Sequence, residues 1–230
     1  MIAAVLFDLD GTLVDTAPDL AGALNRQRRL RDLDPLPLEQ LRAHASSGAR
    51  GLIGQGFGIG PGHDDFPAMR EEFLDLYERH LVVDTTLFAE VDALLDAIET
   101  AGHAWGIVTN KHERFTLPLV ERIGLSPRAG CVVCGDTTPH AKPHPEPLFE
   151  AARRLNVAPG DCIYVGDDIR DIQAARAAGM GAIAAGYGYL GVASHPDDWG
   201  ADAVIDSPLA LLKLLSAHPS VRHSGRASAG

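Results

Sequence analysis

Two aspartates, Asp8 and Asp10, follow the first apolar run of the chain with a single residue between them. Alternate residues at a strand end place their side chains near one site, and Gly11 allows the chain to turn tightly after them. Two carboxylates held so close do not ionise together easily, because their charges repel. That division suits one carboxylate that acts as a nucleophile and one that acts as a general acid.

Side chains able to hold an anion follow later parts of the chain. Thr109 and Asn110 come directly after the apolar run Ala104 to Val108, and the Thr109 hydroxyl and the backbone N–H groups beyond it can donate to an anion. Lys142 opens a proline-rich stretch that ends at Pro147, and prolines stiffen a loop and fix where its side chains point. These residues predict a site for a small anion.

A third group of polar residues follows the run Cys162 to Val165. Asp167, Asp168 and Asp171 offer hard carboxylate oxygens, the ligands that Mg²⁺ prefers. Each residue type also has an ordinary structural role, since an aspartate after a strand is often a helix N-cap or complements the helix dipole. A functional site is favoured because a nucleophile, anion donors, a cation and metal ligands all occur at strand ends in chain order.

Apolar runs alternate with helical patterns such as Val91, Leu94, Leu95 and Ile98, which indicates an α/β fold. The runs are continuous, which is typical of parallel strands buried on both faces. They are Ala3 to Phe7, Ala104 to Val108, Cys131 to Cys134, Cys162 to Val165, Ala182 to Ala185 and a short edge at Ala203 to Ile205. We predict a Rossmann-like open parallel sheet that binds ligands at the carboxyl ends of its strands.

Residues from about 16 to 83 depart from this alternation. They carry helical stripes, such as Leu20 and Leu24, and no strand pattern. We predict a catalytic core over residues 1–15 and 84–215, a helical cap over 16–83 inserted after the first strand, and a disordered tail over 216–230. The glycines from Gly54 to Gly60 are expected to form a flexible cap loop, because they lack the Gly-Lys-Ser/Thr ending of a phosphate-binding loop.

Composition restricts the class of partner. The chain has 230 residues, 46% of them hydrophobic, enough for one core with an insertion. Its net charge of −11 disfavours nucleic acid and anionic membranes as partners. No apolar run approaches the ~20 residues of a membrane span, and no secretion signal is recognisable, so we expect a cytoplasmic protein. The oligomeric state is not predicted.

Two other patterns are set aside. Cys131 and Cys134 are spaced as in zinc or redox sites, but the residues between them are apolar and no second pair of ligands follows, so we expect a buried strand. Residues Gly186 to Gly191 match the glycine pattern of dinucleotide sites, but Pro196 soon follows and breaks the helix that such a site needs. We expect a loop there that borders the active site.

The combined motifs resemble those of the haloacid dehalogenase superfamily. They are Asp8-x-Asp10-Gly11-Thr12-Leu13, Thr109-Asn110, Lys142-Pro143 and Gly166-Asp167-Asp168-x-x-Asp171. The resemblance extends to about Leu215 and includes an insertion like the helical cap of that superfamily. Within it, the chain is similar to the phosphoglycolate phosphatase group. The strings Ser46 to Arg50 and Trp199 to Asp202 resemble N-acetylmuramic acid 6-phosphate phosphatases.

The resemblance implies a Mg²⁺-dependent phosphatase that acts through an aspartyl-phosphate. Asp8 would attack phosphorus, and Asp10 would protonate the leaving oxygen and then activate water. The other implied roles are Mg²⁺ binding by the carboxylates of Asp8 and Asp167 and the backbone carbonyl of Asp10, phosphoryl binding by Thr109, Asn110 and Lys142, and orientation of the metal's waters or of Lys142 by Asp168 and Asp171.

The cap is expected to select the substrate through Ser47, Gly48 and Arg50. Small residues let a ligand approach, and an arginine fork matches a carboxylate, although a surface arginine fits the pattern equally well. We expect a small carboxylate-bearing phosphomonoester, of the phosphoglycolate or N-acetylmuramic acid 6-phosphate type. A sugar-phosphate mutase of the same fold and a broad-specificity sugar or nucleotide phosphatase are the alternatives. Asp10 argues against a dehalogenase, and the intact motifs argue against a non-catalytic binding domain.

Overall fold

A computed structural model describes residues 2–192 and 195–217 of the chain. The predicted tail over 216–230 lies outside the described residues except at its start, where Ser216 and Ala217 end the last helix. Ordered structure therefore continues slightly beyond the core boundary predicted at residue 215. Across the described ranges, no helix is long and apolar enough to cross a membrane.

A parallel sheet forms the centre of the described chain. The strands are β1 (Ala4–Phe7), β2 (Val14–Asp15), β3 (Thr86–Leu87), β4 (Ala104–Val108), β5 (Val132–Val133), β6 (Cys162–Gly166), β7 (Gly181–Ala185) and β8 (Ala203–Ile205). Within the described ranges, six of them form one sheet in the order β5-β4-β1-β6-β7-β8, with parallel neighbours throughout. The predicted open sheet is confirmed. Two strands are shorter than the apolar runs that predicted them: β1 lacks Ala3, and β5 lacks Cys131 and Cys134.

Helices cover both faces of this sheet. They are α1 (Ala17–Arg29), α2 (Leu38–Ala45), α3 (Gly48–Phe57), α4 (Phe66–Arg79), α5 (Val91–Thr100), α6 (Glu113–Arg122), α7 (Glu146–Leu155), α8 (Ile169–Ala177) and α9 (Leu211–Ala217). Short 3₁₀ turns occur at Pro159–Asp161, Pro196–Asp198 and Pro208–Ala210. Alternate residues of β1 face opposite sides, so Val5 and Phe7 pack in the cluster that contains α5, whereas Ala4 and Leu6 pack with α7 and α8.

The helices α1 to α4 lie between β2 and β3 in the chain. These two strands pair antiparallel, Val14 with Leu87 and Asp15 with Thr86, so the polypeptide enters and leaves the helical segment side by side. The four helices pack on one another, with Leu24 and Phe73 fully buried between them. A helical segment is thus present where the cap was predicted, whereas its division from the core as a separate domain stays a prediction.

The expected flexible glycine loop is wrong for most of its length. Residues up to Phe57 belong to α3, which ends at Gly58 with φ +71°. Gly56 faces α1 so closely that a Cβ there would lie 2.8 Å from a Leu24 side-chain carbon. The glycine therefore allows two helices to approach each other, and tertiary packing outweighs its low helix propensity.

Candidate active site

The register of the sheet brings the predicted strand-end residues to one edge. Phe7 pairs with Ile107 on one side and with Val165 on the other, so the residues that follow these strands emerge together. The backbone N–H of Asp8 donates to the carbonyl of Val165 over 2.9 Å, which fixes the start of the first loop. In the structure, the predicted motifs therefore lie together at the carboxyl ends of the strands.

Lys142 is buried beneath Asp8. Its ammonium nitrogen lies 2.9 Å from Oδ1 of Asp8 and 2.7 Å from Oδ1 of Asp171, and it donates to the carbonyl of Val108 and the hydroxyl of Tyr164. Burial lowers the pKa of Lys142, but the charges of Asp171 and Asp8 outweigh burial, so its pKa lies above the ordinary value. A permanent positive charge therefore stands beside Asp8.

Asn110 holds the Lys142 loop rather than the cavity. Its side-chain nitrogen donates to the Lys142 carbonyl over 2.9 Å, and its side-chain oxygen accepts from the Lys142 N–H over 2.9 Å. Both ends of the amide thus bind the Lys142 backbone, which directs the Asn110 side chain to that loop. Thr109 is buried at the end of β4, and its hydroxyl oxygen accepts from the backbone N–H of Lys111 at 3.2 Å.

Asp167 is sealed into the floor of the site. It is 1% exposed, and its carboxylate accepts from the Thr12 hydroxyl over 3.0 Å and from the Tyr189 N–H over 2.9 Å. A Cβ on Gly11 would lie 2.2 Å from Oδ2 of Asp167, so only glycine fits there. Burial, followed by the charges of Asp8 and Asp171, raises the pKa of Asp167 well above its usual range.

Asp8, Asp167 and Asp171 each place a carboxylate oxygen within 4.8 Å of the others. Asp171 already serves Lys142 through one oxygen and accepts from the Asp168 N–H through the other, at 3.1 Å. Asp8 also binds Lys142, and Asp167 accepts from Thr12 and Tyr189, so the geometry alone admits all three carboxylates as ligands. A hard divalent ion fits this donor set, because it would relieve the repulsion that raises the pKa of Asp167.

Asp10 has partners that the motifs did not predict. The ammonium group of Lys111 donates to both of its carboxylate oxygens, and the Thr16 hydroxyl also donates to it. Lys111 in turn lies over the ring of Tyr77 in α4, 4.7 Å from the centroid. Lys111 directly follows Thr109-Asn110, so its proximity to the site was predictable from sequence, but no motif indicated its pairing with Asp10.

A cavity of about 470 Å³ opens above these residues. The predicted substrate-selecting residues Ser47, Gly48 and Arg50 line it opposite Asp8. Arg50 is exposed, and within the described ranges its side chain has no hydrogen bond or ion pair. Basic side chains that the sequence analysis did not select also border the cavity; they are Arg70, Lys111, Arg114 and Arg170.

Asp168 connects the core to the helical segment. Its carboxylate caps α8 by accepting from the Arg170 N–H, and it also accepts from the Ser46 hydroxyl over 2.6 Å. Burial raises its pKa, but hydrogen bonds from Arg170 and Ser46 together lower it to about 2. Asp168 is therefore a charged anchor at the side of the cavity.

The glycine-rich segment after β7 is a loop at the site, as predicted, and holds no nucleotide-binding helix. Its Tyr189 binds Asp167 through the backbone, and the Tyr189 hydroxyl accepts from the Ala17 N–H over 2.8 Å. The side chain thus meets the start of α1. Cys131 and Cys134 are free and buried, in agreement with the structural interpretation of that pair.

This open parallel sheet, covered by helices and with carboxylates gathered at the ends of β1 and β6, is an α/β fold whose site lies at the carboxyl ends of its strands. Residues 5–185 match the family described as haloacid dehalogenase-like hydrolase, and the chain belongs to that family. The superfamily predicted from the motifs is thereby confirmed.

Relatives of known name lie within this family. The chain is 41% identical over 216 residues to an N-acetylmuramic acid 6-phosphate phosphatase of Pseudomonas putida, covering 94% of this chain and 97% of the relative. It is 43% identical over 208 residues to a phosphoglycolate phosphatase of Xanthomonas campestris, covering 89% and 92%. A crystal structure described as a predicted phosphoglycolate phosphatase from Haemophilus somnus superposes with a TM-score of 0.81 at 26% identity, covering 93% and 97%. The prediction of an enzyme of the phosphatase class is confirmed.

Proposed function

We propose that this protein is a Mg²⁺-dependent phosphatase that hydrolyses a small carboxylate-bearing phosphomonoester through an aspartyl-phosphate on Asp8. The observation that carries the proposal is the position of Asp8, whose carboxylate lies 2.9 Å from the Lys142 ammonium in a cavity that Asp10 and Thr109 also line. A nucleophile, an acid and two phosphoryl-binding groups thus border one space.

Hydrolysis proceeds in two displacements. An oxygen of Asp8 bonds to phosphorus as the ester P–O bond breaks, and Asp10 gives its proton to the leaving alcohol oxygen. Asp10, now a carboxylate, takes a proton from a water molecule, whose oxygen attacks phosphorus and releases Asp8 and inorganic phosphate. Lys142, the Thr109 hydroxyl and the Asn110 backbone hold the phosphoryl oxygens and neutralise their charge.

The carboxylates of Asp8 and Asp167 and the backbone carbonyl of Asp10 would hold Mg²⁺. When bound, the ion supplies positive charge to the phosphoryl oxygens and to the crowded carboxylates. Asp171 orients Lys142, and Asp168 caps α8 beside it; both act through other groups rather than on the substrate.

The cavity supports a substrate larger than phosphoglycolate. Pockets of roughly 300–1,000 Å³ enclose drug-sized ligands, and the volume of about 470 Å³ falls in that range. A two-carbon acid would leave most of it empty, whereas an acetylated sugar acid is closer to this volume in size. Arg50, with no partner among the described residues, is placed to bind the carboxylate of either substrate.

Substrate choice is tested by a matched pair of sugars. N-acetylglucosamine 6-phosphate has a free hydroxyl where N-acetylmuramic acid 6-phosphate carries its carboxylate-bearing lactyl ether, and is otherwise the same. With Mg²⁺ present, we expect a higher kcat/KM for the acid, and for Arg50→Ala a loss of about tenfold or more on the acid alone, since ~1.4 kcal/mol is one decade. Phosphoglycolate, hexose phosphates and nucleotides complete the comparison.

Arg29→Ala is the matched control, because Arg29 is an exposed arginine of α1 that does not line the cavity. Equal activity of the wild type on both sugars, or an equal loss in Arg50→Ala on both, would contradict carboxylate selection. Release of an isomeric sugar phosphate instead of inorganic phosphate would identify a mutase.

A further inference from the structure

Ser46 is held by the core through both its side chain and its main chain. The Ser46 hydroxyl donates to Oδ2 of Asp168 over 2.6 Å, and Nη2 of Arg170 donates to the Ser46 carbonyl over 2.9 Å. Arg170 also grips Asp168 with two donors, Nε at 2.7 Å and Nη2 at 2.8 Å. We call Ser46, Asp168 and Arg170 the clasp.

The core side of the clasp is rigidly mounted. Asp168 and Asp171 form a capping box at the start of α8. The Asp168 carboxylate accepts from the backbone of the first helical turn, and the Asp171 carboxylate accepts from the Asp168 N–H. Asp171 then lies 2.7 Å from the ammonium nitrogen of Lys142, which lies beside Asp8. A short chain of polar contacts therefore runs from Ser46 to the residues around the nucleophile.

On the other side of the clasp, Ser46 is close to Arg50 in the chain. Ser46 ends α2, and α3 begins at Gly48, so the intervening turn is as short as a helix pair allows. A Cβ on Gly51 would lie 2.4 Å from the His44 carbonyl oxygen, which means that the turn is tightly packed. A turn this stiff transmits the position of Ser46 to the first residues of α3.

We propose that Arg170 is a specificity-determining positioning residue, which through the clasp sets where Arg50 stands above Asp8. The expected change in substrate preference rests on the proposed function, in which Arg50 binds the carboxylate of the substrate. Arginine is required because its planar fork reaches Asp168 and the Ser46 carbonyl together, which a lysine ammonium does not do in the same geometry.

The kinetic test is a double-mutant cycle of Arg170→Gln and Arg50→Ala, measured as kcat/KM on the two matched sugars with Mg²⁺. We expect Arg170→Gln to lower the preference for the acid by about tenfold, and Arg50→Ala to cost less than about threefold more in that background, because coupled residues are not additive. Arg170→Lys should behave like Arg170→Gln. Arg176→Gln is the control, since Arg176 lies on the same helix and binds Gly200 and Asp202 instead.

Additive losses would overturn the proposal, since they mean that Arg170 acts on the substrate independently of Arg50. An equal loss of kcat/KM on both sugars in Arg170→Gln would also overturn it. Lower thermal stability of that variant with an unchanged preference for the acid would do the same, because the clasp would then be a structural contact only. If Arg50→Ala alone has no selective effect, the proposed role of Arg50 fails. Hydrogen exchange then tests whether Arg170 still positions the turn before Arg50. Amides of residues 46–52 should then exchange about tenfold faster in Arg170→Gln than in Arg176→Gln. Equal exchange would overturn the clasp.

Discussion

The Lys111 ammonium nitrogen lies 2.9 Å from Oδ1 of Asp10, and the Lys111 side chain is 9% exposed, so the proposed acid–base carboxylate is paired with a nearly buried cation. Burial lowers the pKa of Lys111, but Asp10 and Tyr77 outweigh it and hold this pKa above its usual value. The pair fixes where Asp10 points.

Removing this partner should impair catalysis more than binding. For Lys111→Met, we expect kcat to fall by roughly tenfold to a hundredfold, part of the ~10²–10⁴ that acid–base catalysis contributes, because Asp10 is no longer oriented. Steady-state kinetics on N-acetylmuramic acid 6-phosphate measure this. A raised KM with unchanged kcat would instead make Lys111 a binding residue.

Asp8→Asn removes the oxygen proposed to attack phosphorus while preserving the shape of the side chain. We expect kcat to fall by at least ~10³-fold. The melting temperature should be maintained or raised, since the variant removes one negative charge beside the buried Asp167. Circular dichroism and a phosphate-release assay test both parts. Substantial remaining turnover in a folded variant would refute the aspartyl-phosphate mechanism.

Chelation should abolish activity, and Mg²⁺ should restore it. Binding should also be visible without turnover: at ~100-fold excess over its Kd, Mg²⁺ should raise the melting temperature by about 5 °C or more. Ca²⁺ should support activity poorly, because it prefers more ligands and looser geometry. Asp167→Asn is the informative variant, since it should lose the thermal shift. An equal shift in that variant would place the ion elsewhere.

Gly188 should be intolerant of even one methyl group. A Cβ there would lie 2.3 Å from Cβ of Asp167 and 2.4 Å from the Gly11 carbonyl oxygen. We expect Gly188→Ala to lower the free energy of unfolding by about 1–3 kcal/mol, as overpacking does, and to reduce Mg²⁺ affinity. The control is Gly160→Ala, where a Cβ meets nothing within 4 Å. Comparable stability of the two variants in urea denaturation would refute the predicted clash.

Local sequence was sufficient to locate the strand-end residues. Asp8, Thr109 and Asp167 each follow an apolar run, and parallel strands place their carboxyl ends at one edge regardless of loop detail. The contacts of Arg170 with Ser46 and of Lys111 with Asp10 were not predictable in this way. The first depends on how α2 packs against the core, and the second on side-chain orientation in the loops after β1 and β4, which no local pattern encodes. The last turn of α3, from Gly54 to Phe57, was wrongly predicted as a loop because Gly56 serves a close approach to α1, which the local sequence does not show.

The two-stranded ribbon of β2 and β3 has a consequence for how the protein can diversify. Because Val14 pairs with Leu87, the two ends of the helical segment between β2 and β3 are neighbours. They lie about 5 Å apart, as hydrogen-bonded strands do. A helical segment of another length or sequence could be exchanged at this junction without displacing β1 or β4. A preference for a different phosphomonoester can thus arise by replacing this one helical segment, while the proposed phosphoryl-transfer residues at the edge of the sheet stay in place.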